Sequence, residues 1–228
     1  MEGLKSNLSI NHCWNTIHVG LDEFIDDLFV DFKEGPGASL SIIKDSKVLF
    51  SKSYGMMEIG SNMKCNPKTN FRLASLTKQF TAISILILME RGKLGLEEKL
   101  SKFFVEEDLP FYAKQITIHH LLSHTSGIID YEDLIDDNEL KLKNQQLKDE
   151  DVFEIMKKVD DTYFPIGSQF RYSNTAYAFL ALIVGKVSGI SFAQFLKENV
   201  FDPLGKKKIQ AFFFSHCFEI VIVETRNV

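Results

Sequence analysis

A serine followed three positions later by a lysine forms a chemical pair only where the backbone is helical, because side chains at i and i+3 then share a face. The sequence holds this pattern three times, at Ser41 and Lys44, Ser61 and Lys64, and Ser75 and Lys78. The first lies in an alternating, strand-like run that sends the two side chains to opposite faces. The second lies in a stretch rich in Asn, with a Pro and no period. Only Ser75 stands at the head of a long apolar helical pattern, where free backbone N–H groups and the positive end of the helix dipole favour a developing oxyanion. Its hydroxyl needs a neighbour to take the proton, and a lysine in mostly apolar surroundings can do so. Ser75 is therefore the candidate nucleophile and Lys78 its candidate base. Taken alone, the pair also fits a serine that caps a helix beside a solvated lysine.

Tyr172-Ser173-Asn174 is the one Tyr-x-Asn in the chain, and it follows the turn residues Pro165-Ile166-Gly167. Placed on a loop that enters a helix near Thr175, Tyr172 can relay protons, while the Asn174 amide can orient Lys78 and hold a substrate carbonyl. By itself the tripeptide also reads as a helix cap. Leu121-Leu122-Ser123-His124-Thr125-Ser126-Gly127 reads as structural, with Gly127 allowing a tight turn at a helix end. His120 and His124 have i, i+4 spacing, but no His-Glu-x-x-His is present. No metal and no other cofactor is expected.

These residues need a scaffold. Leu21, Phe24, Ile25, Leu28, Phe29 and Phe32 recur at spacings of three and four, predicting an amphipathic helix over Leu21–Phe32. Gly35-Pro36-Gly37 ends it, and runs at 38–43 and 47–54, joined through Lys44-Asp45-Ser46-Lys47, predict a hairpin. Residues 60–70 read as a loop. Residues 75–91 predict a central, buried helix, apolar on nearly every side from Ala82 to Met89 and closed by Gly92. Further helices are expected over 116–122, 152–159, 175–187 and 192–200, with the charged stretch 133–151 at the surface. The tail, 206–228, reads as one or two strands of unclear partnership. The order of two strands followed by many helices predicts an α+β fold in a single domain, 1–228, made of a sheet-side lobe (1–70), a helical region with the motifs (71–205) and an atypical tail (206–228).

The composition narrows the partners. With 31 acidic against 26 basic side chains, the formal net charge of -5 carries no footprint for nucleic acid or an anionic membrane. The most apolar stretch, 83–89, is far shorter than the roughly 20 residues a spanning helix needs. Three scattered cysteines, Cys13, Cys65 and Cys217, make neither a disulfide framework nor a metal cluster. The first twenty residues lack a continuous apolar core of the secretory type, and a cytoplasmic location is expected.

In order along the chain, Phe71-Arg72-Leu73-Ala74-Ser75-Leu76-Thr77-Lys78, Ile116 to Gly127, Phe164 to Asn174 and Phe201-Asp202-Pro203-Leu204-Gly205 resemble the class C beta-lactamase and D-alanyl-D-alanine carboxypeptidase-like family of the penicillin-binding-protein superfamily. The resemblance spans roughly residues 20 to 205. It implies a beta-lactamase/transpeptidase-like fold and a serine hydrolase that acts through an acyl-enzyme on a small amide or ester. Ser75 would be acylated, Lys78 and Tyr172 would share the acid and base work, and Asn174 would bind substrate. The family's third element, of Lys-Thr-Gly or His-x-Gly type, does not follow Tyr172. Lys68-Thr69-Asn70 and His18-Val19-Gly20 precede the motifs and read as coincidences. The pattern predicts a shortened member with its last sheet strands largely missing. A catalytically impaired remnant that acts as a binding or interaction protein is the alternative reading. An unpaired hairpin edge would offer a route to a homo-oligomer, unless the apolar tail covers it.

Overall fold

The computed structural model describes residues 20, 23–32, 34–71, 73–135, 147–205, 210–212 and 219–221. Its contacts gather into two compact units, Met1–Thr69 and Asn70–Val228.

In the first unit, residue 20 and residues 23–28 are helical, the helix α1, which gives way at Phe29 to a 3-10 turn, Val30–Phe32. The helix expected over Leu21–Phe32 thus ends at Leu28, four residues early, and its apolar stripe is only partly used. Ile25 is buried, while Phe24, Leu28 and Val30 are exposed. Asp26 and Phe29 dock on the hairpin. The Asp26 carboxylate accepts from Lys52 Nζ at 2.6 Å and from the Tyr54 hydroxyl at 2.9 Å, and the Phe29 ring stacks on Tyr54 at 4.4 Å.

The hairpin forms as expected, β2 (Lys47–Tyr54) with the expected bounds and β1 (Ala38–Lys44) one residue longer than the expected 38–43, with Ala38 opposite Tyr54 and a bulge between Ile42 and Ile43. Asp45 and Ser46 both take positive φ, 51° and 60°, as a two-residue turn matched to the strand twist requires. Across the exposed face, Ser41 bonds Ser51 at 3.2 Å, and in the following loop the Ser61 hydroxyl donates to the Glu58 carbonyl at 2.8 Å. Both serines of the two discounted Ser-x-x-Lys pairs are therefore engaged elsewhere.

The second unit is helical. A 3-10 turn, Ala74–Leu76, leads into α2 (Thr77–Glu90), followed by α3 (Ile118–Leu122), α4 (Asp149–Met156), α5 (Asn174–Ser188) and α6 (Phe192–Leu196), which runs on into a π turn, Lys197–Phe201. The centre is α5. Thr175 through Ala181, Ile183 and Val184 are all buried, packed with Ile85 and Leu88 of α2, Leu121 of α3, Met156 of α4 and Phe195 of α6. Ser173 caps α5 by accepting from the Ala176 N–H at 3.1 Å, and Gly189 ends it at φ 76°. No single helix among the described residues is long and apolar enough to cross a membrane.

Three sequence expectations need correction here. α2 is not buried on every side: Ile83 and Leu86 are 40% and 42% exposed, so a face remains open to solvent. α4 begins at Asp149 rather than Val152, because three acids favour the positive end of the helix and the Asp151 carboxylate accepts the Lys148 N–H at 2.8 Å. α3 begins at Ile118 rather than Ile116, since Thr117 caps it by accepting from the His120 N–H at 3.3 Å. In the tail, β3 (Gln210–Phe212) and β4 (Glu219–Val221) pair with each other, antiparallel, in a sheet separate from the hairpin. Cα atoms of β4 come within 8 Å of those in the Ala74–Leu76 turn.

Candidate active site

The four residues singled out by spacing meet in the second unit. Ser75 sits in the 3-10 turn that opens α2, one residue after Ala74, whose φ of 45° lies in the left-handed region. Lys78 follows one turn later, 7% exposed. Its ammonium donates to Asn174 Oδ1 at 2.6 Å and lies 3.5 Å from Ser75 Oγ, at the long limit of a hydrogen bond. The Tyr172 hydroxyl reaches Ser75 Oγ at 2.6 Å. Ser75 and Tyr172 are exposed at the mouth, while Lys78 lies beneath them. Its ammonium also faces the rings of Tyr172, at 4.7 Å, and Tyr177, at 5.6 Å. Such contacts hold a cation without fixing it in a single direction.

The segment read as structural aims Tyr172. The His124 carbonyl accepts from Arg171 N–H at 3.0 Å, the Thr125 carbonyl from Gly167 N–H at 2.8 Å, and the Gly127 carbonyl from Tyr163 N–H at 2.9 Å. Residues 124–127 and 163–171 thus run side by side and deliver the Tyr172 loop. Their approach is so close that a Cβ on Gly127, φ 72°, would lie 2.2 Å from the Phe164 carbonyl oxygen. His124 is itself part of the site. Its ring stacks between Tyr172, at 4.8 Å, and Tyr177, at 5.0 Å, and its Nδ1 accepts the Ser173 N–H at 3.1 Å. Burial, and then the nearby Lys78 charge, hold its pKa below the ordinary value. Burial likewise pushes the Tyr177 phenol up, with Tyr172 adding to it. Tyr177 donates to the Leu122 carbonyl at 3.1 Å.

Sequence reasoning missed Asp130. Its carboxylate accepts the N–H groups of Asn174 and Glu132, which anchors the first residue of α5 and hence the amide that meets Lys78. Nearby, Thr175 Oγ1 accepts the Tyr131 N–H at 2.8 Å. Neither residue belongs to a recognisable spacing pattern, because each acts on backbone brought in by the fold. Among the described residues, no three His, Cys, Asp or Glu side chains converge to hold a metal ion.

The beta-lactamase family profile matches residues 25–211. The chain belongs to the beta-lactamase family. The family is one of serine hydrolases, and the helix and sheet arrangement here is of the beta-lactamase/transpeptidase type. Protein flp of Staphylococcus aureus is 33% identical over 183 residues, 78% of this chain and 35% of the relative. An octameric penicillin-binding protein homologue from Pyrococcus abyssi superposes with a TM-score of 0.72 at 32% identity, covering 85% of this chain and 44% of that one. A penicillin-binding protein from Bacillus halodurans gives 0.72 at 26% identity, covering 86% and 69%. The chain spans about a third of the length of the curated relatives it matches.

Proposed function

We propose that the chain carries the acylation centre of a serine hydrolase acting on small amides or esters, with Ser75 as nucleophile. The observation that carries this reading is the convergence of Lys78 Nζ and the Tyr172 hydroxyl on Ser75 Oγ, at 3.5 and 2.6 Å. Side chains 97 positions apart in sequence do not meet on one hydroxyl through local helix geometry.

In the proposed reaction, Ser75 Oγ attacks the substrate carbonyl carbon as its proton passes to whichever of Tyr172 and Lys78 is in its deprotonated form, a phenolate oxygen or a neutral amine. The new O–C bond forms, the scissile C–N or C–O bond breaks, and the same pair returns the proton to the leaving amine or alcohol. Water then attacks the ester on Ser75 and regenerates the hydroxyl. Asn174 fixes Lys78 Nζ and places its amide where a substrate carbonyl would lie. The start of α2 turns its positive dipole end toward the charge that develops at the carbonyl oxygen.

Acyl binding without efficient turnover is the alternative outcome at the same serine. Hydrolysis of p-nitrophenyl acetate and of a chromogenic cephalosporin separates the two. Steady turnover abolished by Ser75→Ala supports the hydrolase. A single stoichiometric burst supports acyl binding, and rates equal for wild type and Ser75→Ala overturn both.

A further inference from the structure

One residue outside the Ser75, Lys78, Tyr172 and Asn174 group meets the Tyr172 loop at three points. The His124 carbonyl accepts the Arg171 N–H at 3.0 Å, its ring Nδ1 accepts the Ser173 N–H at 3.1 Å, and its ring face stacks on Tyr172 at 4.8 Å. Both chain neighbours of Tyr172, and Tyr172 itself, are thus held by a single side chain and its own backbone. That backbone is strained, for a φ of 58° lies in the left-handed region that residues with a side chain seldom adopt. Tyr177 of α5 closes the other face of the imidazole at 5.0 Å, with its own hydroxyl fixed on the Leu122 carbonyl. The imidazole is wedged between this anchored ring and the ring whose hydroxyl lies 2.6 Å from Ser75 Oγ.

The arrangement requires a neutral ring. An imidazole nitrogen accepts only when it bears no proton, so the Ser173 bond places the single proton on Nε2, whereas imidazolium donates from both nitrogens. Protonation would set two donors against each other across the same 3.1 Å. Of the charged and titratable groups around the ring, Lys78 of α2 repels a second cation, Asp130 attracts it, and Tyr172 and Tyr177 present phenol rings. The Arg171 guanidinium pairs with Asp133, and His120, one turn earlier on α3, meets Thr117. Burial and Lys78 outweigh Asp130, and the neutral form is favoured.

On the reading that Ser75 is the nucleophile, we propose that neutral His124 is a positioning residue for its acylation, clasping Tyr172 so that the phenol stays on Ser75 Oγ. His124 acts through Tyr172 and not on substrate. When the ring takes up a proton, the Ser173 bond is lost, the Tyr172 loop is released at that end, and acylation slows. The site is thereby switched down in acid by a group that moves no proton to or from the substrate.

Labelling of the full chain by a fluorophosphonate from pH 8 to pH 5 separates this role from a merely structural one. His124→Asn keeps an acceptor near Nδ1 and tolerates the left-handed backbone, but does not titrate. His124→Phe keeps a ring between the tyrosines and removes the acceptor. Titration of Lys78 and Tyr172 acts alike in all three proteins, so rate ratios isolate residue 124. At pH 8 both variants should label more slowly than wild type, His124→Phe the slower by about threefold or more. As pH falls to 5, His124→Asn should gain on wild type by about threefold or more, because only wild type loses its acceptor. Circular dichroism confirms the fold at each pH, and if His124→Phe does not fold, the His124→Asn ratio decides alone. A ratio that stays constant with pH, or equal rates for the two folded variants at pH 8, would overturn the assignment. Wild-type labelling no faster than Ser75→Ala at pH 8 would instead remove Ser75 as nucleophile, and this inference with it.

Discussion

The ammonium of Lys78 donates to the amide oxygen of Asn174 across 2.6 Å, although 96 positions separate the two in sequence. This bond ties the first turn of α2 to the first residue of α5. It leaves the lysine directed at Ser75 and Tyr172 instead of free to turn to solvent, so the catalytic proposal rests on how two helices begin.

Removal of the lysine should therefore stop chemistry with little harm to folding. Lys78→Ala is expected to slow acylation of Ser75 by roughly a hundredfold to ten-thousandfold, the usual range for a positioned acid or base. Tyr172→Phe should fall in the same range. Labelling rates with a fluorophosphonate probe measure both, and a loss below threefold in either variant would remove that residue from the mechanism.

Asp130 acts through Asn174 and not on substrate. Asp130→Ala leaves two N–H groups without their acceptor and should destabilise the protein by about 1–3 kcal/mol. It should also lower the acylation rate, since Asn174 loses its anchor. Chemical denaturation and labelling read the two effects. A variant of unchanged stability would show that the contact carries no net energy.

His124 makes stability depend on pH in a defined direction. Its folded-state pKa lies below the ordinary 6.5, so the native fold favours the neutral ring. The stability this provides is fully present above the unfolded value and is lost as pH falls through the folded value. Protonation also takes the Nδ1 acceptor from Ser173 N–H. His120, depressed in the same direction, adds to the trend. Melting temperatures should decline below about pH 6.5, and His124→Gln should flatten that decline. An unaltered slope in the variant would exclude His124 as a contributor.

Gly127 tests the pairing of segments 124–127 and 163–171. Gly127→Ala puts a methyl group against the Phe164 carbonyl at a positive φ, and should cost more than about 1 kcal/mol. Acylation should fall with it, because Tyr172 rides on the displaced segment. Wild-type stability in this variant would mean the segments can separate freely.

Much of this site was legible before the fold was known. Context separated Ser75 from Ser41 and Ser61 because helix and strand periodicity leave local marks. The hairpin turn, and its bounds to within one residue, followed from Asp45 and Ser46 for the same reason. What stayed hidden depends on distant backbone. Asp130 and His124 act on N–H groups and rings that arrive from elsewhere in the chain, and no spacing encodes them. The burial of Asp149 inside a charged stretch was missed because composition reports the average of a segment, while packing selects one residue from it. The solvent face of α2 was missed because its apolar side chains are the same whether covered or open.

The central claim is that Ser75 becomes covalently acylated through the group assembled around it. Intact-protein mass spectrometry after incubation with a fluorophosphonate, followed by peptide mapping, reads this directly. The account predicts one adduct per chain on the peptide that contains Ser75, absent in Ser75→Ala and strongly slowed in Lys78→Ala. An adduct on another residue, or none on folded wild-type protein, would contradict it.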